Sequence, residues 1–211
     1  MSNFFALLLR MRLINRWGMM RCAFSDNLAE HSFDTAVIAH CLCTIGNTLY
    51  GRQLDADRCA VLALYHDATE ILTGDLPTPI KYYSPELRAL YQEVEDEAAA
   101  QLTCSLPAEL QEVYGPMLMG ESGELRPYLK AADRLAALIK CMQEEQSGSR
   151  EFSHARIQQQ DALEESGLPE VTYFMEKFLP AFSLGLDQQL AAIGGQPGGR
   201  AAGKEQHHEL E

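Results

Sequence analysis

Apolar residues recur at three- and four-residue spacing in one segment after another, and nowhere do they alternate over the length of a strand. The first such segment is Met1 to Ile14, where Phe4, Phe5, Leu7, Leu8, Leu9 and Met11 oppose Arg10 and Arg12. This predicts an amphipathic helix that packs on the rest of the chain, with attachment to a membrane surface as the alternative. Asn27 then predicts a helix start, with Glu30 completing a capping box, before the apolar body from Phe33 to Ile45. Asp55 caps a helix whose apolar run, Ala60 to Tyr65, continues through Glu70 and ends at Thr73-Gly74. The prolines of Asp75-Leu76-Pro77-Thr78-Pro79 predict a stiff, non-helical loop. Ser84 and Pro85 open a helix reaching about Thr103. Pro107 to Tyr114 predicts a short helix, and Gly115 to Gly123 a connection. A long helix follows from Glu124 to Gln146, broken at Ser147-Gly148-Ser149. Glu151 to Ser166 and Pro169 to Ala192 complete the set, with Tyr173, Phe174, Phe178 and Phe182 spaced for core or subunit packing. The fold class is all-α: one helical domain over residues 1–192 and a flexible tail over 193–211. That tail's Gly, Gln, Pro and charge cannot bury enough surface to order it, and its His207-His208 pair reads as solvated.

Length and composition fit this reading. The chain has 211 residues, 46% hydrophobic and 22% charged, enough to bury a full core and incompatible with disorder throughout. Its 30 acidic residues outnumber 17 basic ones, and a formal charge of -13 argues against binding DNA or RNA through their backbones. A phosphate-bearing ligand must then be attracted locally. Cys22, Cys41, Cys43, Cys59, Cys104 and Cys141 show no paired metal-binding spacing and read as reduced thiols of a cytoplasmic protein. No apolar run is long enough to span a bilayer, and the first segment is too short and too basic for a cleaved signal peptide, so no membrane partner is expected.

The chemistry concentrates in Leu64 to Pro79. His66, Asp67 and Glu70 interrupt an apolar run with no basic residue nearby. Buried carboxylates need a counter-ion, and an imidazole beside two carboxylates suits a divalent metal. On a continuous helix His66 and Glu70 share a face and Asp67 lies about 100° from His66, at its edge. Glu70, one turn on, is better placed to hold a water than to bind an ion. Further ligands come from elsewhere. His31 opens a strongly apolar helix, and Asp133 shares a small apolar face with Leu129, Ala136 and Ala137. Taken singly, His31 also reads as a satisfied helix-start histidine and Asp133 as the partner of a neighbouring arginine. Arg16-Trp17, before Gly18, offers a planar fork for phosphate oxygens and a flat apolar wall, or simply surface packing. The Asp75 to Pro79 loop reads equally as a substrate rim or a helix connection.

The order His31, His66-Asp67, Asp133 resembles the H…HD…D signature of the HD-domain phosphohydrolase superfamily. Ile14-Asn15-Arg16-Trp17, Glu30-His31-Ser32, Tyr65 to Glu70 and Leu72 to Pro79 together resemble, more narrowly, the bacterial HD-domain 5′-deoxynucleotidases. The likeness extends to about Leu186 and includes Tyr173-Phe174-Met175-Glu176. It implies an HD-domain helical bundle that forms a homodimer. It also implies one divalent ion per subunit, cobalt or manganese, held by His31, His66, Asp67 and Asp133. The expected reaction is hydrolysis of deoxyribonucleoside 5′-monophosphates to deoxyribonucleoside and phosphate, with a metal-activated water as nucleophile. Glu70 and Arg16 are the expected catalytic residues, Arg16 orienting the phosphate. Arg16, Trp17, His31, Asp67, Asp75, Leu76, Pro77, Thr78 and Asp133 are the expected substrate contacts, Trp17 against the sugar and Asp75 on its 3′-hydroxyl. From the donor set alone manganese, cobalt, iron, nickel and zinc all fit. Another HD activity, on cyclic nucleotides, guanosine polyphosphates or deoxynucleoside triphosphates, and a non-enzymatic helical module are the alternatives.

Overall fold

The computed structural model describes residues 1–81 and 83–193, without the side chain of Thr78. Its helices are α1 (Phe4–Leu8), α2 (Leu28–Leu49), α3 (Ala56–Tyr65), α4 (Glu70–Thr73), α5 (Thr78–Lys81), α6 (Pro85–Cys104), α7 (Ala108–Leu118), α8 (Arg126–Gln146), α9 (Ser153–Glu164), α10 (Pro169–Lys177) and α11 (Leu186–Ile193). Short 3₁₀ segments cover Leu9–Leu13, Gly123–Leu125 and Leu179–Ser183. No strand occurs among the described residues, only an isolated antiparallel bridge between Asn15 and Asn27. The tail from 194 onwards lies outside the described residues.

The expected caps form. Asn27 Oδ1 accepts from the Ala29 and Glu30 amides, each at 3.1 Å, Asp55 Oδ1 from Arg58 at 2.8 Å, and Ser84 Oγ from Leu87 at 3.1 Å, with Pro85 next in line. The capping box closes only in this direction. Extended backbone at Asn27 is instead tied to the first segment, through Arg16 N–H to Asp26 O (2.8 Å) and Leu28 N–H to Ile14 O (3.1 Å).

Other expectations change. The helix through Glu70 breaks after Tyr65: the amides of Ala68, Glu70, Ile71 and Leu72 bond to carbonyls three residues back, tightening this turn to a 3₁₀ pitch. The expected loop is non-helical through Pro77, but α5 begins at Thr78, because Pro79 falls in a first turn, where its missing N–H is not required. Helix α7 runs on to Leu118 with Pro116 inside it. Pro169 to Ala192 divides into α10, a 3₁₀ turn and α11, since Pro180 has no N–H with which to continue the α-helical ladder.

Two apolar clusters hold the helices. The larger joins α2, α3, α8 and α10 through Leu42, Cys43, Leu62, Leu135, Leu138 and Phe174. The smaller joins the N-terminal helix to α6 and α7 through Phe4, Leu102, Leu106 and Leu118, and it encloses Ala68. Phe4 meets Tyr114 edge-on with ring centres 5.5 Å apart, so the apolar face of the first segment is used in packing. Tyr65 packs against both clusters, and Ala68 is wholly buried. The tightened turn between them is therefore fixed at each end. Leu135 is fully buried at the centre of the larger cluster. Leu135→Ala should lower unfolding free energy by about 2–5 kcal/mol, read from urea denaturation; a change within about 0.5 kcal/mol would contradict this core assignment.

Candidate active site

Three segments converge on one point. Helix α2 presents His31 from its first turn, fully inside the protein; the tightened turn presents His66 and Asp67; and the middle of α8 presents Asp133. Nitrogen and oxygen atoms of His31, His66 and Asp133 lie within 4.8 Å of one another. Asp133 Oδ1 is 3.0 Å from His31 Nε2 and 4.0 Å from His66 Nε2, so its partners are imidazoles rather than an arginine. Asp67 Oδ2 stands 3.1 Å from His66 Nε2 and 3.7 Å from His31 Nε2. The His66 Nδ1 nitrogen lies 2.7 Å from the Ala63 carbonyl, a contact that turns Nε2 towards the cluster. There Nε2 is buried and makes no hydrogen bond among the described residues. Two imidazole nitrogens and two carboxylates around an unsatisfied buried nitrogen fit a divalent transition metal.

The local charges reflect this crowding. Burial works against a charged His66, yet Asp67 and then Asp133 outweigh it and lift its pKa to about 9. Burial would raise Asp67, but His66, His31 and Arg16 hold it well below the usual carboxylate range. For Asp133 burial is likewise outweighed, here by His31 and then His66. Glu70 shows the reverse: burial, then Asp67 and Asp75, push its pKa to about 9 against the pull of Lys81 and Arg16. Its Oε2 is buried without a hydrogen-bond partner among the described residues. In the tightened turn, Asp67 and Glu70, three residues apart, share a face more closely than His66 and Glu70 do, in contrast to the continuous-helix expectation.

Arg16 and Trp17 come from the segment bridged to Asn27, and both are largely buried. Asp26 Oδ2 accepts from Arg16 Nη1 and from Trp17 Nε1, each at 3.1 Å. Trp17 adopts φ 58°, the sole non-glycine residue with positive φ among those described, and its ring lies 5.3 Å from that of Phe152. Asp75 follows Gly74, whose φ of 74° ends α4 in a conformation suited to glycine. Burial raises the Asp75 pKa, opposed by Arg16 and the Trp17 amide, which places Asp75 beside this pair. Leu76 and Pro77 line the same loop half-buried, while the side chain of Thr78 lies outside the described residues. Lys81 pairs with Glu95 at 2.7 Å and stands 4.9 Å from the Tyr91 ring centre.

His31, His66, Asp67 and Asp133 thus come together, with Glu70, Arg16 and Asp75 close enough to act on them electrostatically and Trp17 joined to Arg16 through Asp26. Three neighbours were not singled out by sequence: Asp26, Thr35, whose Oγ1 is 3.4 Å from His31 Nε2, and Phe152. Thr35 sits one turn from His31 and was within reach of helical spacing. Asp26 and Phe152 carried no local signal.

Solved structures share this architecture. The HD-domain phosphohydrolase lin2634 from Listeria innocua superposes with a TM-score of 0.76 at 25% identity, covering 91% of this chain and 97% of that one. The cyanophage S-2L HD phosphohydrolase DatZ, bound to dA and one catalytic Zn2+ ion, gives 0.62 at 21% identity over 83% and 95%. The fold is that of the HD-domain phosphohydrolases. Residues 3–182 match the family described as 5′-deoxynucleotidase YfbR-like. The 5′-deoxynucleotidase VV1113 of Vibrio vulnificus (strain YJ016) is 44% identical over 189 residues, 89% of this chain and 97% of that protein. The 5′-deoxynucleotidase YfbR of Escherichia coli O1:K1 / APEC is 42% identical over 189 residues, 89% and 95%. The chain belongs to the YfbR-like 5′-deoxynucleotidase family and is an enzyme of the phosphohydrolase class. No helix among the described residues is long and apolar enough to cross a membrane.

The two raised pKa values set the response to pH. His66 at about 9 and Glu70 at about 9 both bind protons more tightly than their ordinary values of 6.5 and 4.5. The stability contributed by His66 is full below about 6.5, that of Glu70 below about 4.5, and both are lost as pH rises through 9. A cation binding at Nε2 must displace the His66 proton, so its affinity grows with pH over the same window. Chelated protein should lose melting temperature between pH 6.5 and 9, and a saturating divalent ion should raise it most at the alkaline end. Calorimetric titration with manganese near pH 7.5 should show proton release across buffers of different ionisation enthalpy. Proton-neutral binding would contradict the charged state assigned to His66.

Proposed function

We propose that this protein is a metal-dependent phosphomonoesterase that converts deoxyribonucleoside 5′-monophosphates to deoxyribonucleoside and inorganic phosphate. The observation that carries the reading is the convergence of His31, His66, Asp67 and Asp133, with Arg16 and Trp17 pinned together beside it. Those four side chains would hold one divalent ion. Such an ion supplies Lewis-acid stabilisation of phosphoryl charge and makes a water more acidic. Cobalt or manganese is the proposed metal, in a homodimer, as the family likeness suggests, and the cytoplasm is the proposed setting.

The chain's own residues then divide the work. Glu70, buried beside Asp67 with an unpartnered oxygen, would hold the attacking water and, once the charge of a bound cation offsets that of Asp67 and Asp75 and leaves it ionised, would take up the water's proton. Arg16 orients the phosphate with the donors that Asp26 leaves free. Trp17 lies against the sugar, where a 2′-hydroxyl would lose its hydration without gaining a partner. Asp75 accepts from the 3′-hydroxyl, and Leu76, Pro77 and Thr78 complete the rim. His31, Asp67 and Asp133 contact the phosphate side of the substrate through their place at the cluster.

The deciding experiment is phosphate release from matched deoxy- and ribonucleoside 5′-monophosphates by chelated protein, with cobalt, manganese or zinc restored. Metal-dependent release confined to deoxy substrates is expected. Release from cyclic or triphosphate nucleotides instead would move the protein to another HD activity, and no release with any ion would reject the enzyme mechanism proposed here. Glu70→Ala should keep stoichiometric metal while turnover falls by about 10²–10⁴-fold; near-normal turnover would remove Glu70 from the reaction. Trp17→Ala should lower the deoxy-to-ribo ratio of kcat/KM, and an unchanged ratio would remove Trp17 from sugar selection.

A further inference from the structure

Asp26 belongs to none of the groups given a chemical role above, yet it is the point to which two of them are tied. A single oxygen, Oδ2, accepts from the Arg16 guanidinium and from the Trp17 indole, both at 3.1 Å. The Asp26 carbonyl also accepts from the Arg16 amide at 2.8 Å. Trp17 needs this support: its φ of 58° is a region that residues with a Cβ rarely occupy, and such a conformation persists only when its surroundings over-determine it. The ring is further stopped by the wholly buried Phe152.

The segment leading to Asp26 is held from α8. The Ala23 amide donates to Glu144 Oε2 at 2.7 Å, and Lys140 Nζ donates to the Phe24 carbonyl at 2.8 Å. Lys140 and Glu144, both buried, pair at 2.6 Å, so the anchor satisfies its own charges. Helix α8 also carries Asp133, so one rigid element fixes Asp133 and, through Ala23 to Asp26, the Arg16-Trp17 pair.

We propose that Asp26 is a positioning residue that couples phosphate orientation to sugar selection. By fixing one edge of the guanidinium, it directs the remaining donors of Arg16 towards the cluster. By fixing the indole N–H, it prevents Trp17 from swinging aside to admit a ribose 2′-hydroxyl. This rests on the reading of Arg16 and Trp17 under the proposed function, and it adds that their selectivity depends on a carboxylate outside the four-residue cluster.

Trp17 is the single tryptophan of the chain, so intrinsic fluorescence reports its placement independently of activity. In Asp26→Ala, acrylamide quenching of Trp17 should rise several-fold, metal content should stay stoichiometric, and the deoxy-to-ribo ratio of kcat/KM should fall about tenfold. The loss should appear more in KM than in kcat. Asp26→Asn, which keeps one acceptor oxygen, should lie between wild type and Asp26→Ala on every measure, and it decides the matter alone if the alanine variant does not fold. Quenching and sugar ratio at wild-type values in a folded Asp26 variant would overturn the proposal. A mobile Trp17 in Asp26→Ala, beside an unchanged sugar ratio in Trp17→Ala, would reject the selective role of Trp17 and keep Asp26 as its brace.

Discussion

Two imidazoles and two carboxylates meet where α2, the turn after α3 and the middle of α8 come together, and this crowding governs much of the surrounding architecture. Like charges gathered away from water are costly unless a counter-charge joins them. The chain meets part of that cost by raising the proton affinity of His66 and Glu70, and it leaves a buried imidazole nitrogen without a hydrogen bond. A protonated His66 and a divalent ion are two answers to the same electrostatic demand, and they exclude one another at Nε2.

Holding such a cluster requires rigid supports on every side. Ala68 supplies one: it is buried against the N-terminal helix and α6 and so anchors the turn after Tyr65. Tyr65 belongs to both apolar clusters and so joins the helices carrying the chemistry to those closing the far side. Helix α8 supplies the other support, presenting Asp133 from its middle while Lys140 and Glu144, further along, fasten the segment that leads to Asp26. The segment leading to the Arg16-Trp17 pair is thereby tied to α8 about two turns beyond Asp133.

Net charge belongs to the same account. A protein with a formal charge of -13 repels phosphate at long range, so any attraction must be built at short range. Arg16 brings positive charge close to Asp67 and Asp75, and Asp26 holds its guanidinium at 3.1 Å. In a field of acidic residues a loosely held arginine would find other partners.

Helix starts at Asn27, Asp55 and Ser84 were legible because a cap is local chemistry, one side chain bonding amides two or three residues away. His31, His66, Asp67 and Asp133 were legible as a set because charged groups in apolar runs demand partners, and because their order and the Arg16-Trp17 and Asp75 to Pro79 segments resemble a known family. That resemblance supplied their roles; spacing alone left each with an ordinary alternative. The break after Tyr65 was not legible, since apolar spacing does not distinguish an α-helical turn from a short one bonded three residues back. Asp26 was equally silent, because its hold on Arg16 and Trp17 spans a chain reversal that only folding closes. The sequence by itself therefore determined which residues carry charge into the interior and where the main helices begin. Tertiary structure alone decided how those charges face one another, because distance between groups on different helices is set by side-chain packing, on which local pattern has no purchase.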